Sequence, residues 1–470
     1  MKTNTFDTML QSLNGIVEKQ NGRVIVKDEG RFRDRIDGLV REAVFGDPEG
    51  KASARWLIWE AAQALGIRPA SIQEMYAARG RGEIDRPFTV PALNLRMMAY
   101  DSARAVFRAA GRLDAGALIF EIARSEISYS DQRPAEYTAA VLAAAVKEGY
   151  RGPVFIQGDH FQTALKRFNA DRESELKSIR DLIVEAVAGG FYNIDIDTST
   201  LVDLSKATLD EQQRLNYETC AGFTRFIREH EPEGVTVSIG GEIGEVGHKN
   251  STPEEMDAFM AGYLKLTEGL TGISKISLQT GTSHGGVVLP DGTLAKVAID
   301  FDVLRTMSEK ARREYGLAGG VQHGASTLPD SAFHKFVEAG ACEVHLATGF
   351  MTLVMEHEMT PESLRQEMYD WLRVNTADER KATDTDAQFF YKTRKKSIGP
   401  FKKQFWSLSD GAREAIGASL EEQFHFLFDQ LKIAGTRDLV ARHVHPVEIH
   451  KSPSAGTPAG RKESVEGLSD

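Results

Sequence analysis

Three histidines stand beside glycines at the ends of short apolar runs. They are His160 in Gly158-Asp-His160, His284 in Gly281-Thr-Ser-His284-Gly285-Gly286, and His323 in Gly319-Gly-Val-Gln-His323-Gly324. The runs before them read as short buried strands, and the glycines make the strand ends tight, exposed turns. Neutral imidazoles from three strand ends suit a Zn²⁺ ion that keeps its fourth position open, the arrangement of a catalytic metal. A strand-end histidine can also be a hydrogen-bonded structural residue, but three in similar contexts weigh against that for the set. Asp159 can exchange a proton with a substrate hydroxyl, or can orient a metal ligand. Glu242, in the glycine-rich stretch 240–247, can bind the metal in one state or be an ordinary loop carboxylate.

The elements that must position these residues alternate from Phe88 onward. Strand candidates are Phe88–Asn94, Ala117–Ile122, Pro153–Gln157, Tyr192–Asp197, Val235–Ile239, Ile273–Leu278, Gly320–Gln322 and Glu343–Ala347, with helical patterns between most of them. Eight such units favour a (β/α)₈ barrel, whose sites sit at the C-terminal ends of the strands. An open doubly wound sheet is the runner-up, disfavoured because no Gly-x-Gly-x-x-Gly opens an early strand-to-helix turn.

The expected organisation is a helical extension over 1–86, the barrel over 87–352, a helical region over 353–450 and a disordered tail over 451–470. Ala77–Glu83 reads as a solvated loop. Phe389–Trp406, which mixes cations with aromatics, reads as an aromatic core stripe with solvated lysines. The amphipathic helix Glu421–Lys432, with Phe424, Phe426 and Phe428, is expected to pack within the chain or against a partner. Among 470 residues, 57 Lys+Arg against 68 Asp+Glu give a formal charge of −11, which disfavours nucleic acid and anionic membrane as partners. Two cysteines, Cys220 and Cys342, support no disulfide framework and fit a reducing cytoplasm. No signal peptide or membrane-spanning run is evident. A homo-oligomer is expected.

Several collinear motifs resemble the zinc-dependent class II ketose-bisphosphate aldolases. Pro91-Ala-Leu-Asn94 is similar to that family's Pro-Ala-Phe-Asn, Gly158-Asp-His160 to Leu-Asp-His, and Ile194-Asp-Ile-Asp197-Thr-Ser199 to Met-Ile-Asp-Gly-Ser. Gly241-Glu-Ile-Gly244 resembles Gly-Glu-Leu-Gly, Gly281–Gly285 matches Gly-Thr-Ser-His-Gly, and Val321–Ser326 resembles Leu-His-Gly-Gly-Ser. The resemblance implies zinc on His160, His284 and His323, Asp159 as the proton-transfer aspartate, and Glu242 as the loop glutamate near the metal. It implies substrate contacts at Asn94, Gly285, Gly324, Ser326, His345 and Thr348. The implied activity is reversible retro-aldol cleavage of a ketose (bis)phosphate, such as fructose or tagatose 1,6-bisphosphate, to dihydroxyacetone phosphate and an aldehyde.

Departures concentrate on the substrate half. Gly286-Val-Val-Leu-Pro290 stands where the family has Tyr-Lys-Gly. His345-Leu-Ala347-Thr348-Gly349 replaces Asn-Val-Asn-Thr-Asp/Glu, and Ala123 replaces a serine. Arg79, Arg81 or Lys395 are candidates for the missing anion contacts. Two alternatives remain open: a non-catalytic aldolase-like subunit with an assembly role, and a zinc lyase or epimerase acting on a different sugar.

Overall fold

The computed structural model describes residues 5–244, 249–281, 289, 299–325, 328–452, 463, 465, 467 and 468. His284, Gly285 and Ser326 lie outside them.

The region before the barrel is not all helix. β1 (Val17–Gln20) and β2 (Arg23–Val26) form an antiparallel hairpin. Asn21 and Gly22 turn it with φ of +51° and +81°, the left-handed pair that an Asn-Gly hairpin requires. The Asn-Gly signal was there to be read, but two four-residue strands carry too few apolar positions to show a period. β3 (Ile67–Ala70) then lies parallel to the first half of a barrel strand, with Ile67 opposite Gly152. Asn193 fixes it by accepting from the Ile72 N–H at 2.9 Å and donating to the carbonyls of Ala70 and Ile156.

Eight parallel strands follow: β4 (Val90–Asn94), β5 (Ile119–Ala123), β6 (Gly152–Gln162), β7 (Asn193–Asp197), β8 (Ser238–Glu242), β9 (Lys275–Leu278), β10 (Gly320–Gln322) and β11 (Glu343–Leu346). Each pairs with the next, and β11 returns to β4 with Val344 opposite Pro91, so the sheet closes into a (β/α)₈ barrel. All eight strands stand where the sequence placed them, within a few residues at each end. β6 is the exception in length, because it runs on through Asp159, His160 and Gln162 rather than ending at Gln157.

The flanking regions wrap this barrel. Helix Asp410–Gln430 packs along helix Ala99–Leu113, burying Phe424 and Phe428 completely. Each such ring contributes roughly 1.5–3 kcal/mol by leaving water, so this helix serves the chain's own core. Of Phe389–Trp406, the aromatic reading holds for Phe389, Phe401, Phe405 and Trp406, all buried. Its cations are not all solvated: Arg394 pairs with Glu356 at 2.7 Å, and Lys402 pairs with Glu136.

Two further expectations change. Arg79 is not in a solvated loop but at the end of helix Gln73–Gly80, buried, donating to the carbonyls of Phe88 at 2.8 Å and Ala341 at 3.2 Å. Those carbonyls precede β4 and β11, so Arg79 closes the barrel floor and stands at the end opposite to the strand C-termini. Lys451 is docked, its ammonium 3.3 Å from the Trp59 ring centre and its carbonyl accepting from the Trp56 indole. Among the described residues no helix is long and apolar enough to cross a membrane.

Candidate active site

β6 is the strand the site is built on. Between Gly158 and Phe161 its pairing with β7 shifts register, and His160 sits in that bulge with φ +39°. Left-handed backbone costs a non-glycine residue energy, and bulges of this kind re-aim side chains beside functional sites. Gly158 permits the bulge, since a Cβ there would lie 2.4 Å from the Phe161 ring. The result turns Asp159 and His160 toward the barrel interior near its C-terminal mouth.

The imidazoles gather there. His160 and His323, the residue after β10, have ring centres 4.3 Å apart; His323 and His345 of β11 are 4.1 Å apart. Asp159, His160 and His323 bring ligand atoms within 4.8 Å of one another, as do His160, Asp197 and Glu242. His160 Nδ1 meets Asp197 Oδ2 at 3.2 Å, and His323 Nε2 meets the Ser277 hydroxyl at 3.0 Å. One nitrogen of each ring is thus held by an outer partner, the usual support of metal-bound histidines. The donor set fits a divalent metal, which His160 and His323 would hold, with Asp159 and Glu242 within reach. Glu242 Oε2 is 3.7 Å from His160 Nδ1.

Charges in this space set one another. Burial alone would lower the His160 pKa, yet Asp159, the Asp197 hydrogen bond and Glu242 hold it well above the imidazole range in the metal-free chain. Burial raises Glu242 to about 8, with Asp197 adding repulsion. Asp197 is itself held low against burial by His160, Ser199 and Gln162.

Beneath lies a layer the sequence reading did not assign. Lys275 contacts Asp195 at 2.9 Å, the Gln157 amide oxygen at 2.8 Å, and Glu343. Glu343 also accepts from the Tyr76 hydroxyl, Gln157 and His345. Gly240 makes room for the pair: a Cβ there would stand 2.3 Å from Asp195 Oδ1. Burial raises Glu121 to about 8 and Asp195 to about 6, the latter despite Lys275. The signal was a charged residue at an inward position of an otherwise apolar strand, as in Ile-Phe-Glu121-Ile and Ser274-Lys275-Ile.

The remaining expected residues separate into groups. Asn94 ends β4, buried, held by Glu126 and by Arg96 at 3.2 Å. Arg96 itself pairs with Glu126 at 2.8 Å. Gly324 follows His323 with φ +69°, and Thr348 opens the helix after β11. His345 faces into the histidine row. As for anion contacts, Arg79 is at the wrong end, Arg81 is exposed and paired with Glu83 at 2.6 Å, and Lys395 lies on the mouth side, 6.0 Å from the Tyr129 ring centre.

Residues 84–404 match the family described as fructose-bisphosphate aldolase class-II. The chain belongs to that family. No curated protein matches the chain. Among solved structures it is similar to the fructuronate–tagaturonate epimerase of Cohnella laeviribosi, with 14% identity over 81% of this chain and 86% of the other, at a TM-score of 0.56. It is also similar to the fructose-bisphosphate aldolase of Campylobacter jejuni, with 15% identity over 79% and 96%, at a TM-score of 0.47. At 14% identity the likeness to the epimerase is one of fold.

Proposed function

We propose that the chain is a metal-dependent class II aldolase that cleaves a ketose phosphate, or a related ketose, by reversible retro-aldol chemistry. The observation that carries this reading is the convergence of Asp159, His160 and His323 at one mouth of the barrel, with Asp197 and Ser277 behind the two imidazoles. When bound, a divalent ion supplies Lewis acidity to a ketone oxygen and the adjacent hydroxyl. Zinc is the ion the family resemblance favours, and His284 completes the proposed ligand set. Asp159 takes the proton from the hydroxyl on the aldehyde-forming carbon. The carbon–carbon bond breaks, its electron pair remains on the ketose fragment as an enediolate, and Glu242 returns a proton to that carbon. Asn94, Gly285, Gly324, Ser326, His345 and Thr348 are the proposed substrate contacts, and Lys395 is a candidate anion partner.

A second reading is favoured by His345, which stands where aldolases carry a substrate-binding asparagine and here faces two carboxylates. An epimerase that breaks and re-forms the same bond with inverted facial selectivity uses identical proton chemistry. The Cohnella neighbour is named for an epimerisation of ketohexuronates, so a non-phosphorylated sugar acid belongs in the test.

The experiment incubates the zinc-loaded protein and a His160→Ala variant with fructose and tagatose bisphosphates, and with fructuronate and tagaturonate. Aldehyde release by the wild type alone supports the aldolase. Interconversion without aldehyde release supports the epimerase. Neither reaction, with metal bound, removes both.

A further inference from the structure

Beside the His160–His323 pair stands a second cluster. His345 Nδ1 is 3.0 Å from Glu121 Oε2 and 3.2 Å from Asp159 Oδ1. Glu121, Asp159 and His345 bring ligand atoms within 4.8 Å of one another, all in buried side chains. The other ring nitrogen, Nε2, meets Glu343 Oε1 at 2.7 Å. A carboxylate only accepts, so Nε2 carries a hydrogen. A neutral imidazole would then aim the Nδ1 lone pair at two carboxylate oxygens, which is repulsive. A hydrogen or a cation must lie between them: a second ring proton, a proton on one of the carboxyl groups, or a metal ion.

Several observations favour the cation. The Nδ1 contacts are not aligned as hydrogen bonds: neither His345 Nδ1 nor Glu121 Oε1 has a hydrogen-bond partner among the described residues, although the two residues are 5% and 0% exposed. Spacings of 3.0 and 3.2 Å are those of neighbouring ligands around one ion at about 2.1 Å from each. An outer ring is in place as well. Glu343 holds Nε2 and is itself held by Lys275 and Tyr76, while Gln157 donates to Glu121 Oε2 at 3.2 Å. Glu121, Asp159, Asp195, Asp197, Glu242 and Glu343 share this space with Lys275, so it is rich in oxygen donors of the kind that hold divalent cations.

We propose that Glu121, Asp159 and His345 form a second divalent-cation site, adjoining the first and sharing Asp159 with it. Asp159 Oδ1 lies 3.2 Å from His345 Nδ1 and 3.8 Å from His160 Nε2, so one carboxylate reaches both positions. That is the layout of two-metal centres, whose ions stand about 3.5–4 Å apart. Two carboxylates and an imidazole suit Mn²⁺ or Zn²⁺. The proposal rests on the functional reading only for the first ion.

The test strips the full chain with a chelator, reloads it with Zn²⁺ or Mn²⁺, removes free metal and counts bound ions. Two ions per wild-type chain are expected, and one in both Glu121→Gln and His345→Ala. His160→Ala should keep the second ion. Circular dichroism and melting of each variant identify any that fail to fold, and the near-isosteric Glu121→Gln guards against that outcome. With Mn²⁺, the wild type should give an exchange-coupled spin-resonance spectrum that Glu121→Gln converts to that of an isolated ion. A single ion at saturation in the wild type, or an unchanged count in folded Glu121→Gln, overturns the site. Loss of the functional reading shows separately, as two bound ions without turnover of any sugar.

Discussion

At the floor of the barrel Arg79 is buried and donates to the carbonyls of Phe88 and Ala341, whereas at the mouth His345 is equally buried and faces Glu121 and Asp159 without hydrogen-bond alignment. Both regions place charged side chains in a low-dielectric interior, where an unmet partner is costly. The floor resolves that cost with hydrogen bonds to backbone and so contributes stability. The mouth leaves part of it unresolved, and an arrangement of that kind is retained for a ligand rather than for the fold. Lys275 marks the boundary, a buried cation gripping Asp195 and Glu343 below the histidine row.

Substitutions at the two ends should therefore separate stability from metal binding. The largest effect is expected from His160→Ala, which removes a direct ligand. Metal affinity should fall by more than the roughly 10–100-fold typical of outer-sphere changes. Equal metal affinity in a calorimetric titration would remove His160 from the site. Lys275→Met should be the most damaging to the fold, leaving Asp195 and Glu343 buried without their cation at a cost of about 3–5 kcal/mol. Denaturant unfolding measures it, and a cost below that of Arg79→Met would reverse the boundary drawn above.

Asp197→Asn should weaken metal binding about 10–100-fold by loosening the His160 ring, with a smaller change in unfolding. Arg79→Met should do the converse, costing about 1–3 kcal/mol through its unsatisfied carbonyls while leaving metal affinity unchanged; any loss of affinity there would tie the floor to the site.

A further effect is on pH dependence. Glu121 and Glu242 are raised from 4.5 to about 8 in the metal-free fold, mainly by burial. The folded chain thus binds more protons than the unfolded chain between those values. The stability they contribute is present below about pH 4.5 and is lost as pH rises through about 8. The raised pKa values of His160 and His345 act in the same direction. Melting of the metal-free protein should decline from pH 5 to 9, less steeply in Glu121→Gln. A rise over that range contradicts the assignment.

Much of this was legible along the chain. Eight apolar runs at regular intervals encode strands, because burial on both faces of a parallel sheet demands continuous apolar residues. The glycines flanking His323 encode a strand-end turn, and the ordered motifs encode the family. What a linear pattern cannot state is which way a side chain points once the backbone departs from regularity. The bulge at His160, set by Gly158 and Phe161 against β7, is such a departure. Nor can it state which distant residues meet. Tyr76 and Glu343, or Glu121 and His345, are separated by much of the chain, and barrel closure alone makes them neighbours. Arg79 makes the same point from the other end: its sequence surroundings are those of a solvated loop, and only the docking of its helix under β4 and β11 buries it. The sequence by itself therefore determined the barrel and the residue types at its mouth, since both follow from local periodicity and turn chemistry. Tertiary structure decided the pairing of those residues, because charge compensation in a buried space depends on distances that only the closed sheet fixes.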